Sequence, residues 1–506
     1  MSSSPVLKVT NLSVAFDKRV VNDLSFSIYP GKTTAIVGES GSGKTVSSMA
    51  VMGLLPTTAT IESGDFTVLK VGVEISMVFQ DPMSSLNPSM RVGEQVSEPL
   101  IVHENLSNEA AREKAIELFK EVELPDAAAA YDKFPHELSG GQKQRVMIAM
   151  ALACNPHVLI ADEPTTALDV TVQSVILDLI SRLQKERNLG VLFISHDLEV
   201  VKDIADEVIV MRLGDVVEQG ECKKVFSNPQ HEYTKELIAS RPRRNGPGAE
   251  SDGALIEARG VSLDYPVKKD FMGRTTEVFG AVKNVSLRVG ARERVGLVGE
   301  SGSGKSSLGK LLLGMDMCSS GEILWKGETL DIENTKAFRG FKKYAQPVFQ
   351  DPFSALNPRL RVGSALQEAL DLSGSKSTVS GLLEEVGLSG KDASKYPGGF
   401  SGGQRQRIVL ARALAMEPEF LVLDESVAAL DLRIQAEILK LISDIQKKRS
   451  LAFLFISHDL SVIEAVCDRV VIMKNGEIVE EGTTENIFKK PENSYTKELL
   501  NSRPGA

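Results

Sequence analysis

The chain has 506 residues, 42% of them hydrophobic and 25% charged, with a net charge of −10. At roughly 100–200 residues per domain this length allows two to four domains, each with a core of its own. The acidic balance supplies no global attraction to nucleic acid or to an anionic membrane surface. The first residues, MSSSPVLKVTNLSV, lack a charged stretch followed by an apolar one, so no signal peptide is expected. No run approaches the roughly 18 apolar residues of a membrane-spanning helix, and any membrane role is expected to be peripheral. Cys154, Cys222, Cys318 and Cys467 lie far apart with no CxxC pair. That spacing argues against a disulfide framework, a zinc site or an iron–sulfur cluster.

In chain order, TTAIV at residues 33–37 reads as a buried strand. It runs into Gly38, Glu39, Ser40, Gly41, Ser42, Gly43, Lys44 and Thr45, and then into a helix. Glycines let backbone N–H groups curl around phosphate oxygens, and the following helix points its positive end at the same anion. Lys44 would reach the β- and γ-phosphates of ATP, and Thr45 would ligate Mg2+. A glycine turn with no ligand is the bland alternative, which the apolar strand in front disfavours. Further on, Ser139, Gly140, Gly141 and Gln142 place small residues and backbone donors before a helical run, a second helix start suited to phosphate. Taken alone it is equally an ordinary capped helix.

HVLIADEP at residues 157–164 is an apolar run ending in acids, hence a buried strand. An acid there is costly without a cation or hydrogen-bond partner, so Asp162 is expected to anchor the magnesium. Glu163, next to it, is a candidate base for an attacking water. VTVQSVILDLISRLQKER at residues 170–187 reads as a helix. GVLFISHD at residues 190–197 is another strand, and its His196 could sense or hold a γ-phosphate. A lone histidine in that place is more often a structural hydrogen bonder.

The whole pattern then repeats. Gly299, Glu300, Ser301, Gly302, Ser303, Gly304, Lys305 and Ser306 match the first glycine loop. Ser401, Gly402, Gly403 and Gln404 match the second anion motif, Asp424 and Glu425 the acid pair, and His458 the histidine. Lys44 and Lys305 are 261 positions apart; Gln142 and Gln404, Asp162 and Asp424, and His196 and His458 are each 262 apart. Each histidine follows its aspartate by 34 residues, which raises the odds of a shared role. VFQDPMSSLNP at residues 78–88 recurs as VFQDPFSALNP at 348–358, but Gln80 and Gln350 are 270 apart. The first half is therefore nine residues shorter between Lys44 and Gln80, a difference expected in a small antiparallel subdomain. Such a period means duplication of a whole domain. RPRRNGPGAESDGA at residues 241–254 reads as a linker between a domain at 5–240 and a second at 255–503. Both halves end alike, in HEYTKELIASRP and NSYTKELLNSRP. Strands alternating with helices give an α/β class with a mostly parallel sheet.

Glycine loop, SGGQ, acid pair and strand-end histidine together resemble the ABC ATPases, over nearly the whole chain. The resemblance implies two P-loop NTPase domains in tandem, each with a mostly parallel sheet core, a small antiparallel β subdomain and a helical signature subdomain. In that family two such domains stack head to tail. The first glycine loop would face Phe400–Gln404 and the second Leu138–Gln142, giving an internal dimer with two shared ATP sites. The resemblance also makes Gln80 and Gln350 residues that touch magnesium and the membrane partner, makes Ala167–Asp169 and Ala429–Asp431 the D-loops, and makes Phe16 and Tyr265 the aromatics that stack on adenine.

The QDPMSSLNP and QDPFSALNP loops and the YTKEL tails resemble, more narrowly, the oligopeptide, dipeptide, nickel and glutathione importers. Implied partners are two transmembrane permeases and, indirectly, an extracytoplasmic solute-binding protein, with the chain at the cytoplasmic face of the inner membrane and no nucleic acid involved. FPHE before the first signature becomes YPGG before the second, and DEPT becomes DESV. Neither change removes a catalytic group, so both sites keep a full set. A soluble tandem ABC ATPase acting on ribosomes is the rival reading, disfavoured by the short, weakly basic linker; an exporter ATPase is a third.

Overall fold

Strands buried on both faces read as near-continuous apolar runs, and in the first half four such runs lie side by side in one sheet. A computed structural model describes residues 4–165, 168–239, 253–269, 275–331, 334–349, 351–427 and 430–503. These fall into two compact units, residues 4–239 and residues 253–503.

In the first unit the strands are β1 (Leu7–Ala15), β2 (Arg19–Ile28), β3 (Thr33–Val37), β4 (Thr60–Phe66), β5 (Ile75–Val78), β6 (Val158–Asp162), β7 (Gly190–Ser195), β8 (Glu207–Arg212) and β9 (Asp215–Glu221). Six of them make a sheet in the order β5-β6-β7-β3-β8-β9. The first five are parallel and β9 pairs antiparallel to β8. Every residue of β3, β5, β6 and β7 is buried. β2-β1-β4 form a separate antiparallel sheet. Its Leu7, Leu12, Leu24 and Ile28 share one core with Ile36, Ile160, Leu192 and Ile209 of the parallel sheet.

Helices Val92–Glu104, Asn108–Glu121 and Ala127–Tyr131 lead to helix Gly140–Leu152 and form the helical part. An ion pair ties this part to the long helix Val170–Arg187: Arg187 grips Glu121 and also donates to the Leu152 carbonyl.

The second unit repeats the plan with β10 (Ala254–Lys269), β11 (Thr275–Gly290), β12 (Arg294–Val298), β13 (Ser320–Trp325), β14 (Glu328–Thr329), β15 (Ala345–Val348), β16 (Phe420–Asp424), β17 (Ala452–Ile456), β18 (Arg469–Lys474) and β19 (Glu477–Thr483). The main sheet runs β15-β16-β17-β12-β18-β19, and β11-β10-β13-β14 make the antiparallel sheet.

The length difference before Gln80 now has a location. The second unit adds β14 and helix Thr335–Tyr344, whose Phe341 meets Trp325 edge-on. The first unit passes from β4 to β5 without either. The opposite difference lies in the helical part, where the first unit's 14-residue helix Asn108–Glu121 corresponds to the seven-residue Val379–Glu385.

Candidate functional site

Parallel pairing sets the site. Val37 lies opposite Ser195 and Asp162 opposite Ile194, so the glycine loop, the acid pair and His196 all leave the same carboxyl edge of adjacent strands. Ligands of open α/β sheets bind at such an edge. The second unit repeats this, with Leu297 and Asp424 both opposite Ile456 of β17.

Each glycine loop closes tightly before its helix, Lys44–Val51 or Lys305–Leu312. Gly43 and Gly304 have φ of 99° and 100°. A Cβ would lie 2.7 Å from the Val20 carbonyl oxygen at the first and 2.2 Å from that of Ala281 at the second. Glycine alone fits both the handedness and the space. The same contact brings Val20 of β2, four residues after Phe16, up to the first loop. Phe16 and Tyr265 are each 36% exposed, and the Tyr265 hydroxyl donates to Asp316 Oδ2 at 2.8 Å.

Lys44 is buried, and its ammonium donates to the carbonyls of Gly38 at 2.8 Å and Glu39 at 2.9 Å. Lys305 does the same to Gly299 and Glu300, both at 2.7 Å. At the start of each helix a hydroxyl meets the strand-end aspartate: Thr45 donates to Asp162 Oδ1 at 3.2 Å and Ser306 to Asp424 Oδ1 at 3.1 Å. Burial pushes the Asp162 carboxyl up to about 6, against the Thr45 hydrogen bond and the Lys44 charge; the Glu163 charge adds to the rise. Asp424 is raised for the same first reason. A buried Asp162 and a partly buried Asp424, each bonded to one hydroxyl, are sites where a hard cation would relieve the cost of ionisation.

Glu163 and Glu425 occupy the left-handed region, each with φ of 46°. This is uncommon for a residue with a side chain and tends to mark functional turns. Their N–H groups donate to Ile194 and Ile456 on the next strand, which pins the turn. His196 Nδ1 stands 3.2 Å from Glu163 Oε1, and His458 Nδ1 3.4 Å from Glu425 Oε1. Burial draws His196 toward its neutral form, but the Glu163 hydrogen bond and charge, with that of Asp197, outweigh it and the net shift is upward. The His458 hydrogen bond is the first cause holding Glu425 below the usual range. Gln80 Nε2 donates to Glu163 Oε2 at 2.9 Å. Gln350 lies outside the described residues, as do Ala167 and Ala429.

Ser139 and Ser401 cap their helices by a reciprocal box. Ser139 Oγ accepts from the Gln142 N–H at 3.3 Å, and Gln142 Oε1 accepts from the Ser139 N–H at 3.0 Å; Ser401 and Gln404 do likewise. Gly141 and Gly403 let these helix starts close on the next long helix, since a Cβ would meet Val172 at 2.6 Å or Ile434 at 2.3 Å. Gly140 and Gly402 stand one position before, beside Leu168 and Leu430. Among the described residues no group of three or more His, Cys, Asp or Glu side chains could cage a metal, and no helix is long and apolar enough to cross a membrane.

Each unit thus builds, at one sheet edge, the apparatus of a P-loop nucleoside triphosphatase, and comparison with known proteins narrows the class. The ABC transporter family model matches residues 21–166 and 282–428, more than half of the chain. The model for the oligopeptide/dipeptide transporter C-terminal region matches residues 217–265 and 479–506. This chain belongs to the ABC transporter family; it binds ATP and is an ATPase with two ATPase domains in tandem. It is 40% identical over 564 aligned positions, all of this chain and 90% of the relative, to the glutathione import ATP-binding protein GsiA of Escherichia coli strain K12. The protein of the same name from Salmonella choleraesuis strain SC-B67 matches at the same identity and coverage. Among solved structures, the archaeal ribosome recycling factor aABCE1, seen in complex with the ribosomal stalk protein aP1, is similar with a TM-score of 0.65 over 92% of this chain and 88% of that one. At 20% identity that likeness is one of fold alone.

Proposed function

We propose that this chain is the energy-coupling subunit of a peptide-type ABC importer, hydrolysing ATP at two sites that each draw on both halves. The full-length identity of 40% to the glutathione import proteins carries the reading, because it spans both glycine loops and both tails. On this reading the domains run 5–240 and 255–503, with 241–254 as the linker.

Lys44 and Lys305 take the β- and γ-phosphates, and the loop N–H groups surround them. Thr45 with Asp162, and Ser306 with Asp424, suit Mg2+, which prefers oxygen donors and takes only one or two carboxylates from the protein. When bound, that cation draws negative charge from the phosphate oxygens. Glu163 and Glu425 accept the proton of the attacking water. His196 and His458, each standing against the glutamate through Nδ1, hold or sense the γ-phosphate. Gln80 and Gln350 serve as metal-facing residues at the permease contact. Phe16 and Tyr265 stack on adenine. Ser139–Gln142 and Ser401–Gln404 each close over the ATP of the opposite half.

Partners on this reading are two permeases and a solute-binding protein, and the chain sits at the cytoplasmic face of the inner membrane. The solute class is small peptides, glutathione among them. The test is purification of the chain from native membranes, with ATPase rate measured with and without loaded binding protein. Co-purifying permeases and stimulation by the binding protein are expected. Recovery with ribosomes, and indifference to any binding protein, would overturn the proposal.

A further inference from the structure

The tails repeat a tyrosine that the proposed site leaves unused. Tyr233 lies in helix Glu232–Ala239 and Tyr495 in helix Ser494–Asn501. Both rings are buried. A buried phenol must find a partner for its hydroxyl. In both units one partner is the glycine loop: the Glu39 N–H donates to Tyr233 Oη at 3.3 Å, and the Glu300 N–H to Tyr495 Oη at 3.2 Å.

That N–H belongs to the peptide whose carbonyl is Gly38's, and the same carbonyl accepts from Lys44 Nζ. One peptide unit is therefore held at both ends, by the phosphate lysine on one side and the tail tyrosine on the other. The Gly299–Glu300 peptide is gripped identically by Lys305 and Tyr495. The tyrosines are themselves anchored. Glu218 on β9 accepts from the N–H groups of Gln230 and His231 just before the first helix, and Glu480 on β19 from those of Glu492 and Asn493 before the second. The Arg212 guanidinium stands 4.9 Å from the Tyr233 ring centre and the Lys474 ammonium 4.1 Å from that of Tyr495, within cation–π range. Core filling alone would accept phenylalanine; the hydroxyl meets the same peptide in two copies.

We propose that Tyr233 and Tyr495 are positioning residues for nucleotide binding: each fixes the first peptide of its glycine loop, so that the C-terminal segment of each half sets the affinity of the phosphate lysine for ATP. The proposal rests on the reading that these loops bind the phosphates. The lysine and the tyrosine share one rigid peptide plane. Losing the hydroxyl frees that plane to turn about the permissive Gly38 or Gly299, and the Gly38 or Gly299 carbonyl that helps orient the lysine turns with it.

The experiment compares the full-length Tyr233→Phe/Tyr495→Phe double variant with the unaltered chain, which keeps both rings and their packing. The dissociation constant for a fluorescent ATP analogue and the KM for ATP should each rise about two- to tenfold, the worth of one neutral hydrogen bond. The kcat at saturating ATP should stay unchanged, and the nucleotide-free melting temperature should fall by no more than a few degrees, since both bonds are present without nucleotide. Lys235→Ala/Lys497→Ala, on the exposed faces of the same helices, should leave all four quantities unchanged. Unaltered affinity and KM in the tyrosine variant overturn the inference, as does a lowered melting curve with KM intact, which would mean a structural role only. Lys44→Ala/Lys305→Ala separates the two claims. If it spares ATP binding, the loop reading fails and takes this inference with it. If it abolishes binding while the tyrosine variant binds normally, this inference alone fails.

Discussion

Gln80 holds one oxygen of the Glu163 carboxylate at 2.9 Å while His196 stands 3.2 Å from the other. The two grips come from the loop after β5 and the residue after β7, so the candidate base is aimed by elements far apart in sequence. If Gln80 also meets a permease, movement there would release or restore the aim of the base, a direct mechanical link between transport and hydrolysis. Hydrogen bonds to a charged group are worth about 1.5–3 kcal/mol. Gln80→Ala should therefore lower the turnover at the site of Glu163 about tenfold or more, with little change in ATP affinity. Combined with Glu163→Gln it should add almost nothing, because both changes disable one device. Single-turnover hydrolysis of the two single variants and the double variant measures this, and additive losses would dissolve the link.

Binding and proton acceptance reside in different groups, so they should separate by mutation. Glu163→Gln with Glu425→Gln keeps the shape of both turns and leaves the lysines, hydroxyls and aspartates in place. ATP should bind as before, and kcat should fall about a hundredfold or more, as expected for loss of a general base. Equilibrium binding beside steady-state ATPase rates checks the split. A double variant that turns over at the normal rate would remove both glutamates from the mechanism.

The parts legible in the sequence are those whose physics is local. β3, β6 and β7 are buried on both faces, so each reads as an unbroken apolar run, and the acid or glycine that ends the run marks the site edge. The helix expected at residues 170–187 is the helix found. The shortfall before Gln80 points to the antiparallel part, and the strand Glu328–Thr329 that the second unit adds lies there, followed by helix Thr335–Tyr344. Long-range geometry left no such trace. Gln80 and Glu163 are 83 residues apart, and Tyr233 and Glu39 are 194 apart; neither pair shares an element. The left-handed turn at Glu163 and Glu425 was also hidden, since glutamate is no turn former. Among these, only the tyrosine repeated in the two tails, Tyr233 and Tyr495, leaves a trace in the sequence.

Glu385 supports a prediction about acid. Its carboxylate is 10% exposed and is gripped by Arg449, with Lys448 beside it. Burial raises its pKa, but the bonds and charges of Arg449 and Lys448 outweigh burial, and the net shift is downward. A depressed carboxylate adds stability that is complete above its unfolded pKa of about 4.5 and is lost as the pH falls through the lower folded value. Arg449→Met should cost about 2 kcal/mol at pH 7, because it takes the closer of two cationic partners from a largely buried carboxylate and leaves Lys448. The deficit should shrink as the pH drops below about 4.5. Urea unfolding of both chains from pH 3 to pH 8 reads it out; a deficit constant across that range would mean that Arg449 acts by packing alone.

The proposal that the halves share sites rests on the exposed helix starts at Ser139 and Ser401. Each carries its own cap, so neither needs another partner to be stable, yet Ser139, Gly140 and Ser401 stay exposed at these helix starts, which suits an anion arriving from outside the unit. If Lys44 works with Ser401, then Lys44→Ala and Ser401→Ala damage one site and Ser139→Ala damages the other. Communication between sites will blur overall rates, so occupancy is the better readout: a photoreactive ATP analogue, crosslinked and mapped to the peptides around Phe16 or Tyr265, reports each site separately. A double-mutant cycle on occupancy at the Phe16 site should give a coupling of about 1 kcal/mol or more for Lys44 with Ser401, and near zero for Lys44 with Ser139. The mirror-image cycle at the Tyr265 site should couple Lys305 with Ser139. Coupling that follows the sequence halves instead, Lys44 with Ser139 and Lys305 with Ser401, would refute the head-to-tail arrangement and leave each half to complete its own site.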